Sequence, residues 1–250
     1  MTSRDVSYGR HPVLELLRGR GQAVQELAII SEGRGASLQQ LLALARHRGV
    51  KVSYRTRDQL TAMAGTPYHQ GVVARIAEAP YLELEHLVAL PAARGEAAFL
   101  LALDKVKDPR NLGAVLRTAE AVGAHGVVVP KHHAVGLTGA TAKAAAGATS
   151  FVPVAREANL VLSLKRLKDQ GVWIIGTAPE GGLLPWEVDL TVPLCLVLGG
   201  EGSGMGPLVV RNCDILVSIP MRGRVGSLNV SAAAAVLCYE VVRQRRSKKL

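Results

Sequence analysis

Five short apolar runs, at 98–103, 126–129, 172–176, 194–198 and 215–219, are continuous rather than alternating, and that continuity restricts the fold more than any other feature of the chain. A strand with one wet face alternates apolar and polar residues. One that is apolar throughout is buried on both faces, as in a parallel sheet covered by helices. Helix-length stretches at 112–122, 140–146, 160–170 and 228–244 fall between and after these runs. The order predicts an α/β domain of strand, helix, strand units. With 250 residues the chain is long enough to bury a core without disulfides. Cys195, Cys213 and Cys238 lie far apart in apolar stretches, so they predict reduced core thiols and neither a disulfide framework nor a CxxC metal site. No run approaches the roughly 18 apolar residues of a membrane span, and residues 1–9 are polar. The expectation is a cytoplasmic protein with no metal and no membrane partner.

The first third of the chain differs. Over 4–75, eleven basic residues face five acidic ones, and short helix and strand patterns alternate at 13–17, 27–30, 38–45, 50–54 and 72–76. This predicts a small basic α/β module over 1–76. Residues 77–96 reverse the balance and carry Pro80 and Pro91, which predicts a linker, with room for a short helix at 82–90. The main domain is then 97–250. A net charge of +10 favours a polyanionic partner, while an aromatic content of 4% leaves few rings for a base-stacking platform. The tail cations Arg243, Arg245, Arg246, Lys248 and Lys249 read as a frayed helix end suited to the helix dipole.

Chemistry concentrates in three loops. After the first run comes Asp104-Lys-Val-Lys-Asp-Pro-Arg-Asn111, where Asn111 is placed to cap the next helix and Arg117 falls about a turn and a half beyond it. Ligands of open α/β sheets bind at the carboxyl ends of strands, where this turn lies. The second loop, 198–207, holds five glycines in the eight positions 199–206, so backbone amides are open to close approach. It is not GxGxxG and lacks the Lys-Ser or Lys-Thr of a Walker loop, and Glu201 opposes phosphate there. In the third, Arg222 and Arg224 precede Ser227-Leu-Asn229-Val-Ser231, where Ser227 or Asn229 can cap an Ala-rich helix. His132 and His133 are adjacent and lack metal-ligand spacing. His69, in Tyr68-His-Gln70-Gly71, fits either an RNA contact or a local structural part.

In this order, Asn111 to Arg117, Leu198-Gly-Gly-Glu-Gly-Ser-Gly and Ser227-Leu-Asn-Val-Ser-Ala-Ala closely resemble the three motifs of the SpoU (TrmH-like) branch of the SPOUT RNA methyltransferases. The opening Tyr8-Gly-Arg-His-Pro-Val-Leu-Glu and the later His69-Gln-Gly-Val-Val-Ala resemble the amino-terminal substrate-binding domain of the 23S rRNA guanosine 2′-O-methyltransferase group, which is similar to ribosomal protein L30e. The resemblance implies an α/β fold with a SPOUT-type trefoil-knotted parallel sheet flanked by helices, S-adenosylmethionine bound in the knot, a homodimer with sites at the subunit interface, and a 23S ribosomal RNA substrate.

By the same resemblance Thr177, Leu198, Gly200, Ile219 and Leu228 hold the cofactor, and Arg117, Asn111, Glu201, Ser227 and Asn229 form the catalytic neighbourhood. Arg117 would clamp a phosphate and stabilise developing negative charge, with Asn111 orienting it or the ribose. Ser227 and Asn229 would fix the knot loop and substrate, and Glu201 would engage the methionine amino group or a loop amide. Arg10, His11, His69, Gln70, Arg110, Arg222 and Arg224 are the expected RNA contacts. Other readings stay open at this point: 2′-O-methylation of another rRNA or tRNA nucleotide, as in thiostrepton-resistance enzymes, a non-catalytic RNA-binding ribosome factor, or a Rossmann dehydrogenase. The last lacks GxGxxG and the ribose-binding acid.

Overall fold

A computed structural model describes residues 6–20, 24–31, 35–76 and 81–247. The elements in chain order are β1 (Val6–Tyr8), α1 (Arg10–Arg20), β2 (Val24–Ile30), α2 (Ala36–His47), β3 (Lys51–Arg55), α3 (Arg57–Ala64), β4 (Val72–Ile76), α4 (Leu84–Arg94), β5 (Phe99–Asp104), α5 (Pro109–Ala121), β6 (Gly126–Pro130), α6 (Gly139–Ala144), β7 (Val154–Glu157), α7 (Leu160–Asp169), β8 (Trp173–Thr177), β9 (Leu194–Gly199), α8 (Pro207–Arg211), β10 (Ile215–Val217) and α9 (Val230–Ser247). They form two compact units: Met1–Ala79 with Leu137–Phe151, and Pro80–Gly136 with Val152–Leu250.

In the first unit a mixed sheet runs β1-β4-β2-β3, with β2 and β3 parallel and the other pairs antiparallel. One face is apolar: Leu27, Ile29, Val72 and Ala74 pack with Val13, Leu17, Leu38 and Leu41 from α1 and α2. On the other, Ala28 and Val73 meet Leu60 and Ala64 of α3. A capping box starts α3, with Thr56 and Gln59 bonding each other's backbone amides, and Gly65 ends it in a left-handed conformation. The segment 137–151 belongs to this unit although the chain on either side of it does not. Its α6 is capped by Thr138, its Thr141, Ala145 and Ala148 are buried, and Lys143 Nζ donates to Tyr8 Oη at 2.7 Å.

In the second unit the sheet runs β10-β8-β9-β5-β6-β7, and every pair is parallel. All six residues of β5 are buried and all but the last of β9, as their unbroken apolar runs require. The strand β7 lies in a stretch whose polar neighbours hide it from sequence patterning. The stretch read as a linker is folded from residue 81 onward: Leu82 bridges to Ala155, and α4 buries Leu84 and Leu87 in the same core as Leu100, Val128 and Leu164. Leu84, Leu87 and Pro91 recur at helical spacing, so Glu85 between them occupies the wet side. Pro91 lies inside this helix, eight positions after its Glu83 cap.

The end of α9 is anchored rather than frayed as far as residue 247. Arg245 donates from Nη1 to Ala97 O and from Nη2 to Ala98 O at 2.8 Å each and to Val192 O at 2.9 Å, with its guanidinium 5.3 Å from the Phe99 ring centroid. Gln244 Nε2 reaches Val188 O at 3.1 Å. Lys248 and Lys249 lie outside the described residues. None of the described helices is long and apolar enough to cross a membrane.

Candidate active site

The carboxyl ends of β8, β9 and β10 open onto a cavity of about 790 Å³, lined by Thr177, Leu198, Gly200, Ile219, Leu228 and their neighbours. All five residues expected to hold a cofactor therefore share one wall system at the edge of the sheet where ligands of parallel α/β folds bind. The volume lies within the range of ordinary small-molecule sites. Among the described residues lining it, Glu201 alone carries a charge. A carboxylate at the wall suits a sulfonium ligand better than a polyphosphate.

Glycines shape the wall because backbone segments touch there. A Cβ on Gly200 would strike the carbonyl of Lys105, and one on Gly199 would strike the backbone of Gly204 and Met205. Asp104 ties the loop down at both ends: its carbonyl accepts from Gly200 N at 2.8 Å and its Oδ2 from Gly206 N at 2.6 Å. The substitution Gly200→Ala forces the loop from this seat, an overpacking that costs about 1–3 kcal/mol. Calorimetric titration with S-adenosylmethionine is expected to show affinity reduced by a factor of about 10 or more, since the displaced backbone is itself the cavity wall; unchanged affinity would show that the wall tolerates a methyl group.

At the cavity rim three polar side chains from three distant segments meet. Asn111 Nδ2 donates to Glu201 Oε1 at 3.1 Å, and Asn229 Nδ2 donates to Asn111 Oδ1 at 3.1 Å and to the same Glu201 oxygen. Asn229 Oδ1 accepts from Ser231 N at 2.9 Å and Ser231 Oγ at 2.6 Å, which caps α9 and fixes the orientation of the amide together. Glu201 thus engages two side-chain amides rather than a loop amide. Asn111 does not cap α5; Asp108 does, accepting from Arg110 N, with Pro109 in the first turn. Because the cap lies three residues earlier, Asn111 is inside the helix and its side chain is free to reach Glu201. Ser227 lines the cavity and is exposed.

Arg117 is not brought to this rim. Six residues along α5 carry it about 9 Å from Asn111 and turn it about 120° around the axis. It is exposed and makes no hydrogen bond or ion pair among the described residues. Arg110, Arg222 and Arg224 are exposed too, Arg110 with an ion pair to Asp108 at 3.4 Å.

In the first unit, Arg10 donates from Nη1 to Ser37 Oγ at 2.9 Å and from its backbone amide to Gln70 Oε1 at 3.0 Å, beside an exposed His11. His69, expected among the RNA contacts, has a buried side chain. It is 1% exposed, its Nδ1 accepts from Gly71 N at 3.1 Å, and its Nε2 lies 3.2 Å from Thr61 Oγ1. The accepting Nδ1 leaves the ring proton on Nε2, so the neutral imidazole joins α3 to the turn before β4. Sequence patterning missed this because α3, which covers the ring, has no strong apolar period.

Burial, and then the Arg57 charge, push the His69 pKa below its ordinary value of 6.5. An unfolded chain therefore takes up a proton at a pH where the folded one does not, so stability falls as pH drops from 6.5 toward the folded value and levels off below it. Thermal melts of wild type and His69→Gln at pH 7.5 and 5.5 are expected to show a smaller acid loss in the variant; equal losses would remove His69 as the cause.

Residues 98–239 match the SpoU rRNA Methylase family and residues 7–82 match the family described as RNA 2′-O ribose methyltransferase substrate binding. The chain is 41% identical to the 23S rRNA (guanosine-2′-O-)-methyltransferase RlmB of Shewanella oneidensis, over 99% of this chain and 100% of that one. It is 42% identical to the protein of the same name from Coxiella burnetii, over 96% of each. Among solved structures, the SpoU methyltransferase AviRb from Streptomyces viridochromogenes, in complex with the cofactor AdoMet, superimposes with a TM-score of 0.82 at 25% identity, over 98% of this chain and 92% of that one. The first of these matches runs through every loop that lines the cavity and covers more than half of the chain, which makes this protein a member of the SpoU rRNA methylase family.

Proposed function

We propose that this protein transfers a methyl group from S-adenosylmethionine to the 2′-hydroxyl of a guanosine in 23S ribosomal RNA, acting in the cytoplasm as a homodimer. The observation that carries the reading is the cavity: the five residues expected to hold the cofactor line it together, and Asn111, Glu201 and Asn229 close its rim. The end-to-end relatives named for 23S rRNA guanosine 2′-O-methylation in other bacteria support the substrate.

When bound, S-adenosylmethionine supplies an electrophilic methyl. The protein's task is then to align a weak nucleophile and stabilise the charge it develops. Glu201 at the rim attracts a cationic ligand, while the two asparagine amides hold one carboxylate oxygen and leave the other to accept a hydrogen bond from the incoming hydroxyl. Guanidinium keeps its proton in proteins, so Arg117 serves as a phosphate clamp and charge stabiliser rather than a base. Since Arg117 points away from the rim of its own chain, we assign it to the site of the second copy. The exposed stripe Ala232, Val236 and Tyr239 on α9 supports a subunit contact, since Val236 is 47% and Tyr239 56% exposed.

A knotted path for the carboxyl-terminal chain is part of the same reading. Leu183 pairs with Val217 and Gly182 N donates to Ser218 Oγ on one side of the 178–193 loop, while Gln244 and Arg245 bond its carbonyls at 188–192 on the other. The domain at 1–76, with 137–151 folded onto it, is the unit we assign to RNA binding; the rest of 97–250 carries the methyl transfer.

Mapping 2′-O-methylation across 23S rRNA from cells with and without the gene tests the function directly. One guanosine should lose its methyl group and regain it when the purified protein and S-adenosylmethionine are added to the unmethylated RNA. An unaltered map, or methylation of tRNA alone, would overturn the substrate.

A further inference from the structure

On the α3 face of the first unit's sheet, the cluster that α3 makes with Ala28, Val73 and the partly buried Val6 does not include Glu26 of β2, which lies on the same face two residues before Ala28. In register with Glu26 are Arg75 on β4 and Lys51 on β3. Glu26 is 8% exposed and accepts from Ser53 Oγ at 2.6 Å and Arg55 Nη2 at 3.3 Å, while Arg75 Nη1 stands 3.7 Å away. The Ser53 hydrogen bond, and then the two guanidiniums, hold the Glu26 carboxyl below its usual 4.5.

We propose that Arg55 and Arg75, held apart by Glu26 on this sheet face, form a clamp for backbone phosphates of the RNA substrate. The inference rests on the reading that the protein acts on RNA and goes beyond it in naming where the strand is gripped.

Charge is the first argument. One carboxylate needs one cation, yet two guanidiniums stand beside it and the exposed Lys51 is in register with it on β3, leaving two positive charges in excess among these four residues. Unspent donors are the second. A guanidinium has five N–H groups, and Arg75, beyond hydrogen-bond distance of Glu26, spends none of them on a described residue. Arg55 Nε is shielded from water and has no partner among the described residues, a costly state for a charged donor. Both arginine side chains keep over two-fifths of their surface in solvent while the Glu26 side chain that anchors them is covered. Anchoring reduces the rotamer freedom lost on binding, and the planar fork matches two phosphate oxygens.

The test is filter binding of the full-length protein to transcribed 23S rRNA across 50 to 200 mM KCl, a range in which phosphate contacts show as salt dependence. Arg55→Gln with Arg75→Gln leaves the buried Glu26 carboxylate with Ser53 but without a cation, so the companion variant adds Glu26→Gln and makes the whole cluster neutral. Both are expected to flatten the slope of log affinity on log salt by about 1.4 to 1.8, two contacts' worth, and to weaken binding at least about tenfold at 0.1 M salt. S-adenosylmethionine affinity should not change. An unaltered slope in the triple variant, with its melting curve intact, overturns the clamp and leaves the methyltransferase reading standing. Wild-type protein that neither binds nor methylates 23S rRNA overturns both.

Discussion

Arg117→Ala is expected to lower the rate of methyl transfer to 23S rRNA at least about 100-fold, the scale of a lost charge-stabilising donor, while S-adenosylmethionine affinity stays within about twofold of wild type. The two readouts separate because Arg117 does not line the cavity. It projects from α5 into solvent, so its removal touches neither the Gly-rich wall nor the Asn111, Glu201 and Asn229 cluster. Single-turnover methylation and calorimetric titration on the same preparation measure both quantities. A variant with near-normal turnover would end the assignment. Mixing Arg117→Ala protomers with Gly200→Ala protomers gives a second reading: a shared site restores activity in the mixed dimers, whereas self-contained sites leave every protomer defective.

How much of this was legible in the sequence depends on whether the cause was local. The parallel sheet was, because strands such as 99–104 and 194–199 sit between other strands and helices and are apolar up to their carboxyl ends, where Asp104 is the one charged residue. The cavity was as well, since glycines at 199 and 200 answer contacts made within a few residues of the same strand ends. Asn111 was recognised but assigned the wrong local part, since both Asp108 and Asn111 are able to cap a helix and only the bond to Glu201, 90 residues away in the chain, decides between them. His69 and Arg245 were misread for a related reason. A histidine in a turn and an arginine in a basic tail look solvated until the element that covers them is known, and in each case that element is distant or weakly patterned. The passage of 137–151 from one unit to the other left no compositional trace, for a small Ala-rich helix packs equally well on either kind of sheet.

Arg245→Ala should cost about 3 kcal/mol of stability, the size associated with losing charge-assisted hydrogen bonds to partly buried acceptors. Three carbonyls within 2.9 Å lose their donor at once, and two of them, at Ala97 and Ala98, lie where the chain enters β5. The Phe99 ring loses its covering cation in the same step. For a chain of this size the loss corresponds to a melting temperature lower by roughly 6–12 °C. Arg245→Lys keeps the charge without the fork and should recover only part of the difference. Scanning calorimetry on the three proteins measures it; a melting temperature within a degree of wild type for the alanine variant would show that water replaces the guanidinium at no cost.

The excursion of residues 137–151 means that the backbone passes between the two units three times, at 79/80, 136/137 and 151/152. A chain severed once between 79 and 80 would therefore still present, on its larger fragment, the α6 surface that the smaller fragment buries with β1. The two pieces have the makings of a split protein: 80–250 holds the whole second unit, and the first is completed only when 1–79 finds the 137–151 segment on the larger fragment.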